Sequence, residues 1–199
     1  TAVWEAGTGS ILFDSATGDA SFTPCNFTSE NHFNNVEFDS SATTAQTWTL
    51  VTRTLVFGGT LTVEDGGAEA VSNVLDTGVN IAITGGAFTI GTGGTLTANA
   101  STITVSGNWS SSAGTFTQGT STVVFAASGN ITVASGSDYS TSRLYNLTVN
   151  ASVTMTMVTN DVSVSNVFTL NGTITGALNL WLSTGTPADP LVLGGAASF

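Results

Sequence analysis

The sequence has very little charge and almost none of it is positive. Its 199 residues include 13 acidic residues and no lysine, and Arg53 and Arg143 are the only arginines, so the formal net charge is −11. Charged residues make up 8% of the chain, whereas average domains devote roughly a quarter of their residues to charge. Binding to phosphate groups or to an anionic lipid surface requires a basic patch. The composition therefore argues against nucleic acid and membrane surfaces as partners.

Cysteine and long apolar runs are also scarce. The single cysteine, Cys25, excludes an internal disulfide framework and a multi-cysteine metal site, and we expect it to be a small buried hydrophobe. No apolar run approaches the ~18 residues needed to span a bilayer. The chain opens with Thr-Ala-Val-Trp instead of a charged and then apolar leader, so we expect a secreted chain whose signal peptide has been removed or lies outside this sequence.

What the sequence does contain is short alternating segments rich in β-branched residues. The 23 glycines are scattered throughout, which disfavours helices, and the period of two is typical of strands with one apolar and one Thr/Ser/Asn face. The pattern predicts an all-β protein with almost no helix. Clear examples are Thr60–Val63, Ala87–Ile90, Thr102–Val105, Ser121–Phe125 and Asn146–Val149.

An internal duplication links two parts of the chain, about 33–63 and 144–170. Trp48–Val63 aligns without gaps on Met155–Leu170, at an offset of 170 − 63 = 107 residues, and the alternating apolar positions stay apolar in both copies. Phe33–Asp39 also matches Leu144–Asn150. No Pro/Gly-rich linker separates the copies, so the pattern predicts one domain over 1–199.

Short strands, tight polar turns and repetition favour a β-solenoid, a parallel β-helix whose coils of roughly 20 to 25 residues stack on one another. About nine coils would fit in the chain. An antiparallel β-sandwich built from the same segments is the alternative, because alternation alone does not distinguish the two topologies.

Five segments resemble the repeats of large secreted β-helical surface proteins of bacteria, archaea and their viruses. They are Leu144–Asn150, Asp161–Ser165, Phe168–Ile174, Val105–Trp109 and Gly114–Phe125. The resemblance covers about residues 32–176. It implies a β-solenoid with an extracellular structural or adhesive role, and it carries over no catalytic residue.

The ends of a solenoid present unpaired strand edges, which natural proteins cap or dock. The sequence shows no amphipathic capping helix at either end, so we predict head-to-tail association in which a terminal strand, such as Ala2–Trp4 or Pro190–Leu193, completes the sheet of the next copy. The predicted function is a non-enzymatic subunit of an extracellular filament or surface layer. Alternatives are a carbohydrate-binding adhesin or virion spike module, and a polysaccharide-degrading β-helix enzyme.

Catalytic and metal-binding candidates are few. His32 is the only histidine, and Glu37 and Asp39 form a same-face carboxylate pair that a glycosidase would need. Two acidic loops offer the oxygen ligands that Ca²⁺ prefers, although neither matches a known calcium-loop pattern and solvated turns explain them better. Their carboxylates belong to Asp14, Asp19, Glu64, Asp65 and Glu69.

Modification and sugar-stacking candidates complete the set. Seven Asn-x-Ser/Thr sequons are glycosylation candidates, at Asn26, Asn99, Asn108, Asn130, Asn146, Asn150 and Asn171. Among the four tryptophans, Trp48 and Trp181 sit in apolar alternations and are predicted to be core residues. Trp4 and Trp109 are the candidates for an exposed platform that stacks on sugars.

Overall fold

A computed structural model describes residues 9–14, 18–24, 32–40, 44–66, 72–134, 143–182, 191–195 and 198. These residues form 21 short strands and no helix, and hence no helix that could cross a bilayer. All strand pairs are parallel and the chain winds as a β-solenoid, which confirms the predicted fold. The antiparallel sandwich is wrong, because strands that neighbour each other in a sheet come from successive coils and run in the same direction.

Three sheets form the walls of the solenoid. Sheet I contains β1 (Ser10–Phe13), β3 (Asn35–Phe38), β6 (Thr60–Val63), β9 (Ala87–Ile90), β12 (Trp109–Ser111), β15 (Gly129–Val133), β17 (Thr154–Met157) and β19 (Thr173–Thr175). Sheet II contains β2 (Ala20–Phe22), β4 (Thr47–Leu50), β7 (Asn73–Asp76), β10 (Gly94–Thr97) and β13 (Thr115–Thr117). Sheet III contains β5 (Leu55–Val56), β8 (Ile83–Gly85), β11 (Thr102–Val105), β14 (Thr122–Phe125), β16 (Leu144–Val149), β18 (Val162–Leu170), β20 (Leu180–Leu182) and β21 (Leu191–Leu193).

The coils differ in length because the loops at their corners differ. Thr156 pairs with Thr175, 19 residues later, whereas Thr60 pairs with Ala87, 27 residues later. The described residues complete about seven turns, fewer than the nine coils that we expected for the chain. The longest strand, β18, pairs with two strands of the next coil, since its start pairs with β20 and its end pairs with β21.

The inward side chains form apolar columns that fill the solenoid. Four of these side chains form an aromatic ladder. The ring centroids are 5.1 Å apart between Phe57 and Phe88, 5.6 Å between Phe88 and Trp109, and 5.0 Å between Trp109 and Phe116. Burial of such columns stabilises the fold by roughly 25 cal/mol per Å² of apolar surface. The core is therefore continuous from coil to coil.

Six apolar pairs of the aligned copies are buried in both copies, as the alternation predicts. They are Trp48/Met155, Leu50/Met157, Leu55/Val162, Phe57/Val164, Leu61/Phe168 and Val63/Leu170. The aligned residues do not always share a wall. Trp48 belongs to sheet II and Met155 to sheet I, whereas Leu55 and Val162 both belong to sheet III. The offset of the duplication is not a whole number of coils. The duplication itself stays a prediction.

Candidate functional site

The last coil leaves inward-facing leucines uncovered. In β21, Leu191 and Leu193 stand in register with Phe168 and Leu170 of β18. Phe168 and Leu170 are fully buried, whereas Leu191 is 39% exposed and Leu193 is 54% exposed. In the part of the chain that the structure describes, the apolar column thus ends at this coil without a layer on top of it.

The strands of this coil also have open edges. Within the described ranges, β20 and β21 pair with β18 on one side only, and the isolated bridge from Thr173 to Ser198 is the last pairing of sheet I. A parallel strand has hydrogen-bonding groups on both edges. Leu191–Leu193, which we predicted as a donated strand, is already paired along one edge. The other predicted strand, Ala2–Trp4, lies outside the described residues, as does Pro190.

The first coil presents an aromatic surface at the opposite end. Phe13 of β1 is in register with Phe38 of β3, and their rings stack with centroids 4.8 Å apart. The Phe13 ring also contacts Phe22 of β2 at 4.5 Å. Phe13 and Phe22 are only half-buried, while Phe38 is fully buried. Leu12, which directly precedes Phe13 and points outwards, is exposed.

Trp181 is exposed, so its predicted place in the core is wrong. Its neighbours Leu180 and Leu182 stack on Val162 and Val164, which leaves Trp181 on the outer side of β20 with 45% of its surface exposed. Its indole Nε1 donates to Oδ2 of Asp161 at 3.0 Å.

Asp161 is the anchor of this tryptophan. The Asn179 backbone N–H donates to Asp161 Oδ1 at 2.8 Å, and the Asn179 amide donates to Oδ2 at 3.1 Å. The hydrogen bond from Trp181, followed by those from Asn179, lowers the pKa of Asp161 below its ordinary value. The charged carboxylate therefore ties the last coil to the preceding one, and the contact weakens as pH falls through this lowered pKa.

Trp109 is not an exposed platform either. It is 1% exposed and lies between the rings of Phe88 and Phe116, and its Nε1 donates to Ser111 Oγ at 3.2 Å. Its prediction as a sugar-stacking residue is wrong because Asn108 and Ser110 occupy the outward positions on either side. Trp48 is buried, as predicted, and Trp4 lies outside the described residues.

Three carboxylates crowd one corner between sheets I and II. Burial raises the pKa of Glu64 above its ordinary value, and the nearby charges of Glu37 and then Asp39 raise it further. Asp39 Oδ1 accepts a hydrogen bond from the Gly66 backbone N–H at 2.9 Å. Glu37 and Asp39 are thus close enough to Glu64 to repel it, and the glycosidase role of this pair stays a prediction.

Replacing Glu64 with glutamine is expected to stabilise the protein at neutral pH. A carboxyl group whose pKa is raised by folding favours the folded state most below the unfolded-state pKa, and this contribution is lost as pH rises through the raised value. The gain should be about 0.5 kcal/mol or less, the scale of solvent-screened charge pairs, and should vanish in acid. Thermal melts of Glu64→Gln at neutral and acidic pH measure it; an equal gain at both would contradict the electrostatic origin.

The calcium candidates within the described ranges do not form a cluster. Asp19 Oδ1 accepts a hydrogen bond from the Thr47 backbone N–H at 2.9 Å, as a structural carboxylate does. No group of three or more metal-binding side chains occurs in the described part of the chain. Asp14 and Asp65 lie in connecting segments, and Glu69 lies outside that part. Calcium binding stays a prediction.

The sequons differ in how far their side chains are engaged. The side-chain amide of Asn99 donates to Asp76 Oδ1 at 2.8 Å, and that of Asn146 donates to Thr122 Oγ1 at 3.2 Å. Both amides therefore form hydrogen bonds that link one coil to the preceding one. Asn108 and Asn130 are exposed on neighbouring coils, although Asn108 Oδ1 accepts from the Asn130 backbone N–H at 2.9 Å. Asn150 and Asn171 are half-buried, and Asn26 lies outside the described residues. Glycosylation stays a prediction.

His32 lies beside Gly58 at the start of the second coil. It is partly buried, and its Nδ1 has no hydrogen-bond partner among the described residues. Cys25 and Glu30, which precede it in the sequence, lie outside those residues. Neither a metal site nor a catalytic pair is therefore assigned to this histidine.

Comparison with known proteins adds no family to this geometry. No protein-family model, no curated protein and no solved structure matches the chain.

Proposed function

We propose that this chain is a structural subunit of an extracellular filament or surface layer, in which the last coil of one copy stacks on the first coil of the next. The observation that carries the proposal is the exposure of Leu191 and Leu193 directly above the fully buried Phe168 and Leu170. Side chains that belong to a core column need another coil to cover them, and a second copy supplies that coil.

The chemistry of the two ends supports stacking between copies. The terminal strands β1, β2, β20 and β21 contain no charged residue, although the chain carries a net charge of −11. Two copies can therefore meet along these strands without burying a carboxylate that belongs to the strands themselves, which would be costly. Because one end contacts the other, the interface is heterologous and does not close, so it propagates into a filament.

The extracellular location is part of this proposal. It is supported by the scarcity of charge, by the Thr/Ser-rich outer faces and by the resemblance of residues 32–176 to secreted surface repeats. Outward hydroxyl groups keep the walls soluble although few side chains are charged.

Electron microscopy of the purified chain tests the proposal. We expect unbranched fibres one solenoid wide, whose number increases with protein concentration. Discrete single particles at every concentration would overturn it. Sedimentation velocity of the same samples distinguishes true filaments from amorphous aggregates.

A carbohydrate-binding adhesin or virion spike module is the second candidate, favoured by Trp181. A half-exposed indole held in place by Asp161 has the amphipathic character of a sugar-stacking residue. Glycan-array binding that is lost in Trp181→Ala and kept in Val79→Ala would support it. Depolymerisation of a polysaccharide panel that is lost in Glu37→Gln or Asp39→Asn would instead indicate the third alternative, an enzyme.

A further inference from the structure

One patch on the outer face of sheet III combines an indole, a guanidinium and a hydroxyl group on neighbouring strands. Ser163 of β18 pairs with Trp181 of β20 on one side. On the other side, Leu144 of β16 pairs with Val164 of β18, so Arg143, which directly precedes Leu144, lies beside Ser163. We name Arg143, Ser163 and Trp181 the sheet III patch.

The two outer members of the sheet III patch are within reach of one ligand. Neighbouring strands are ~4.8 Å apart, so the backbones of Arg143 and Trp181 are about 10 Å apart, with Ser163 between them. Ser163 faces outwards, because Val162 and Val164 on either side of it are buried in the core. Arginine and tryptophan side chains are long enough to contact a single sugar ring that lies over Ser163.

Two polar groups of the patch are buried without a partner. Ser163 is 6% exposed and its Oγ makes no hydrogen bond, and the Nε of Arg143 is likewise buried without one. The hydroxyls of Ser101 and Ser121 are also unpartnered, but these serines precede outward-facing threonines and so point into the solenoid. A buried polar group without a partner costs stability, and native proteins keep few of them. A ligand on the outer face would supply the missing hydrogen bonds at Ser163 and Arg143.

The indole of Trp181 is held in place beside these groups. Its Nε1 donates to Asp161 Oδ2 at 3.0 Å, and the same carboxylate accepts a hydrogen bond from the Asn179 backbone N–H. The residue nevertheless keeps 45% of its surface exposed. An aromatic ring that is already fixed by its polar edge loses little conformational entropy when a ligand packs against its apolar face.

The local charge suits an anionic ligand. Ten of the 13 acidic residues precede Thr77, and from there onwards Asp161 is the only acidic residue in the described part of the chain. Arg143 is the only cation in the same part of the sequence, and no ion pair engages it among the described residues. A guanidinium donates paired hydrogen bonds to the oxygens of a carboxylate or a similar oxyanion.

We propose that the sheet III patch binds an acidic sugar, one that carries a carboxylate or a sulfate group. The indole of Trp181 stacks on the sugar ring, the guanidinium of Arg143 pairs with the anionic group, and Ser163 Oγ bonds to a hydroxyl of the sugar. The inference deepens the second candidate function and rests on its sugar contact at Trp181. It does not depend on the stacking of ends, because the patch faces outwards from a wall of the solenoid.

A glycan array tests this inference with the purified chain. The array holds uronate-, sialate- and sulfate-bearing glycans, each beside a neutral counterpart, so it also distinguishes the two sources of the anionic group. Arg143→Gln removes the charge from the patch. Arg53→Gln is the matched control, because Arg53 is the only other arginine and is exposed in the turn between β4 and β5. Circular dichroism melts establish that both variants are folded.

We expect the wild-type chain to prefer acidic glycans to their neutral counterparts, Arg143→Gln to bind them about tenfold more weakly or worse, and Arg53→Gln to bind as wild type. Unchanged binding by Arg143→Gln, or equal losses in both arginine variants, would overturn the inference. Binding without any preference for acidic glycans that is lost in Trp181→Ala would also overturn it, but would support the second candidate function. No binding to any glycan would overturn both.

Discussion

Replacing Leu193 with aspartate is expected to abolish assembly of the chain while leaving the single subunit folded. In one copy Leu193 is more than half exposed, so the substitution removes little of the subunit's own core. In the filament it would be covered, and burial of a leucine side chain contributes roughly 1.5–3 kcal/mol. A carboxylate at the same place adds a desolvation cost. Because about 1.4 kcal/mol corresponds to a factor of ten, the concentration needed for assembly should rise by about 100-fold or more.

The matched control is Val79→Asp. Val79 is the most exposed of the large hydrophobic residues described and lies in the turn between β7 and β8, far along the chain from both terminal coils. Val79→Asp adds the same negative charge as Leu193→Asp, so it controls for the more negative net charge of that variant. Sedimentation velocity over a concentration series measures the assembly of both variants. Fibres formed equally well by Leu193→Asp and the wild type would show that the last coil is not an interface.

Replacing Trp109 with alanine is expected to produce the largest loss of stability. The indole lies within the aromatic ladder, in contact with Phe88 and Phe116, and alanine leaves a cavity that rigid strands on both sides cannot fill. Substitutions of this kind cost about 3–5 kcal/mol of unfolding free energy. Urea unfolding followed by circular dichroism measures the loss.

Trp181→Ala provides the comparison within the same residue type. Its indole is half exposed and its main contact is with the surface carboxylate of Asp161, so we expect a loss of about 1 kcal/mol or less. Similar losses for the two variants would contradict the assignment of Trp109 to the core and Trp181 to the surface.

These two tryptophans show how far the alternation of the sequence predicts the structure. Trp109 has polar neighbours, Asn108 and Ser110, so a period of two places it inside, and the alternation alone predicts its position correctly. The segment Leu180–Leu182 is apolar at every position. Alternation does not indicate which of its two faces points inwards, and only the register on Val162 and Val164 decides it.

Hydrophobic alternation does not determine which of the three sheets a strand joins. Trp48 and Met155 occupy equivalent places in the duplication and are both buried, but loops of different length bring them to different sheets. The same limitation applies to strand direction, because hydrophobic alternation is identical in parallel and antiparallel sheets. Repetition at the length of a coil is what favoured the solenoid.

The sequence predicts that the ends of the solenoid are open, but it does not predict how the strands pair there. The absence of an amphipathic capping helix indicated open ends. The sequence did not reveal that Leu191–Leu193 is already paired with β18, since this pairing depends on β18 being long enough to pair with two strands of the next coil. The charge repulsion at Glu64 likewise depends on the ends of two neighbouring strands, β3 and β6, meeting at one corner.

Helical reconstruction of the assembled chain by cryo-electron microscopy shows directly whether the last coil of one copy stacks on the first coil of the next. Sheet I has eight strands, and at about 4.8 Å per strand the account predicts an axial rise of roughly 35–40 Å per subunit. The strands should run perpendicular to the fibre axis, with Leu191 and Leu193 covered by the first coil of the next copy. A closed oligomer, or fibres in which the walls contact each other while the terminal coils remain uncovered, would contradict it.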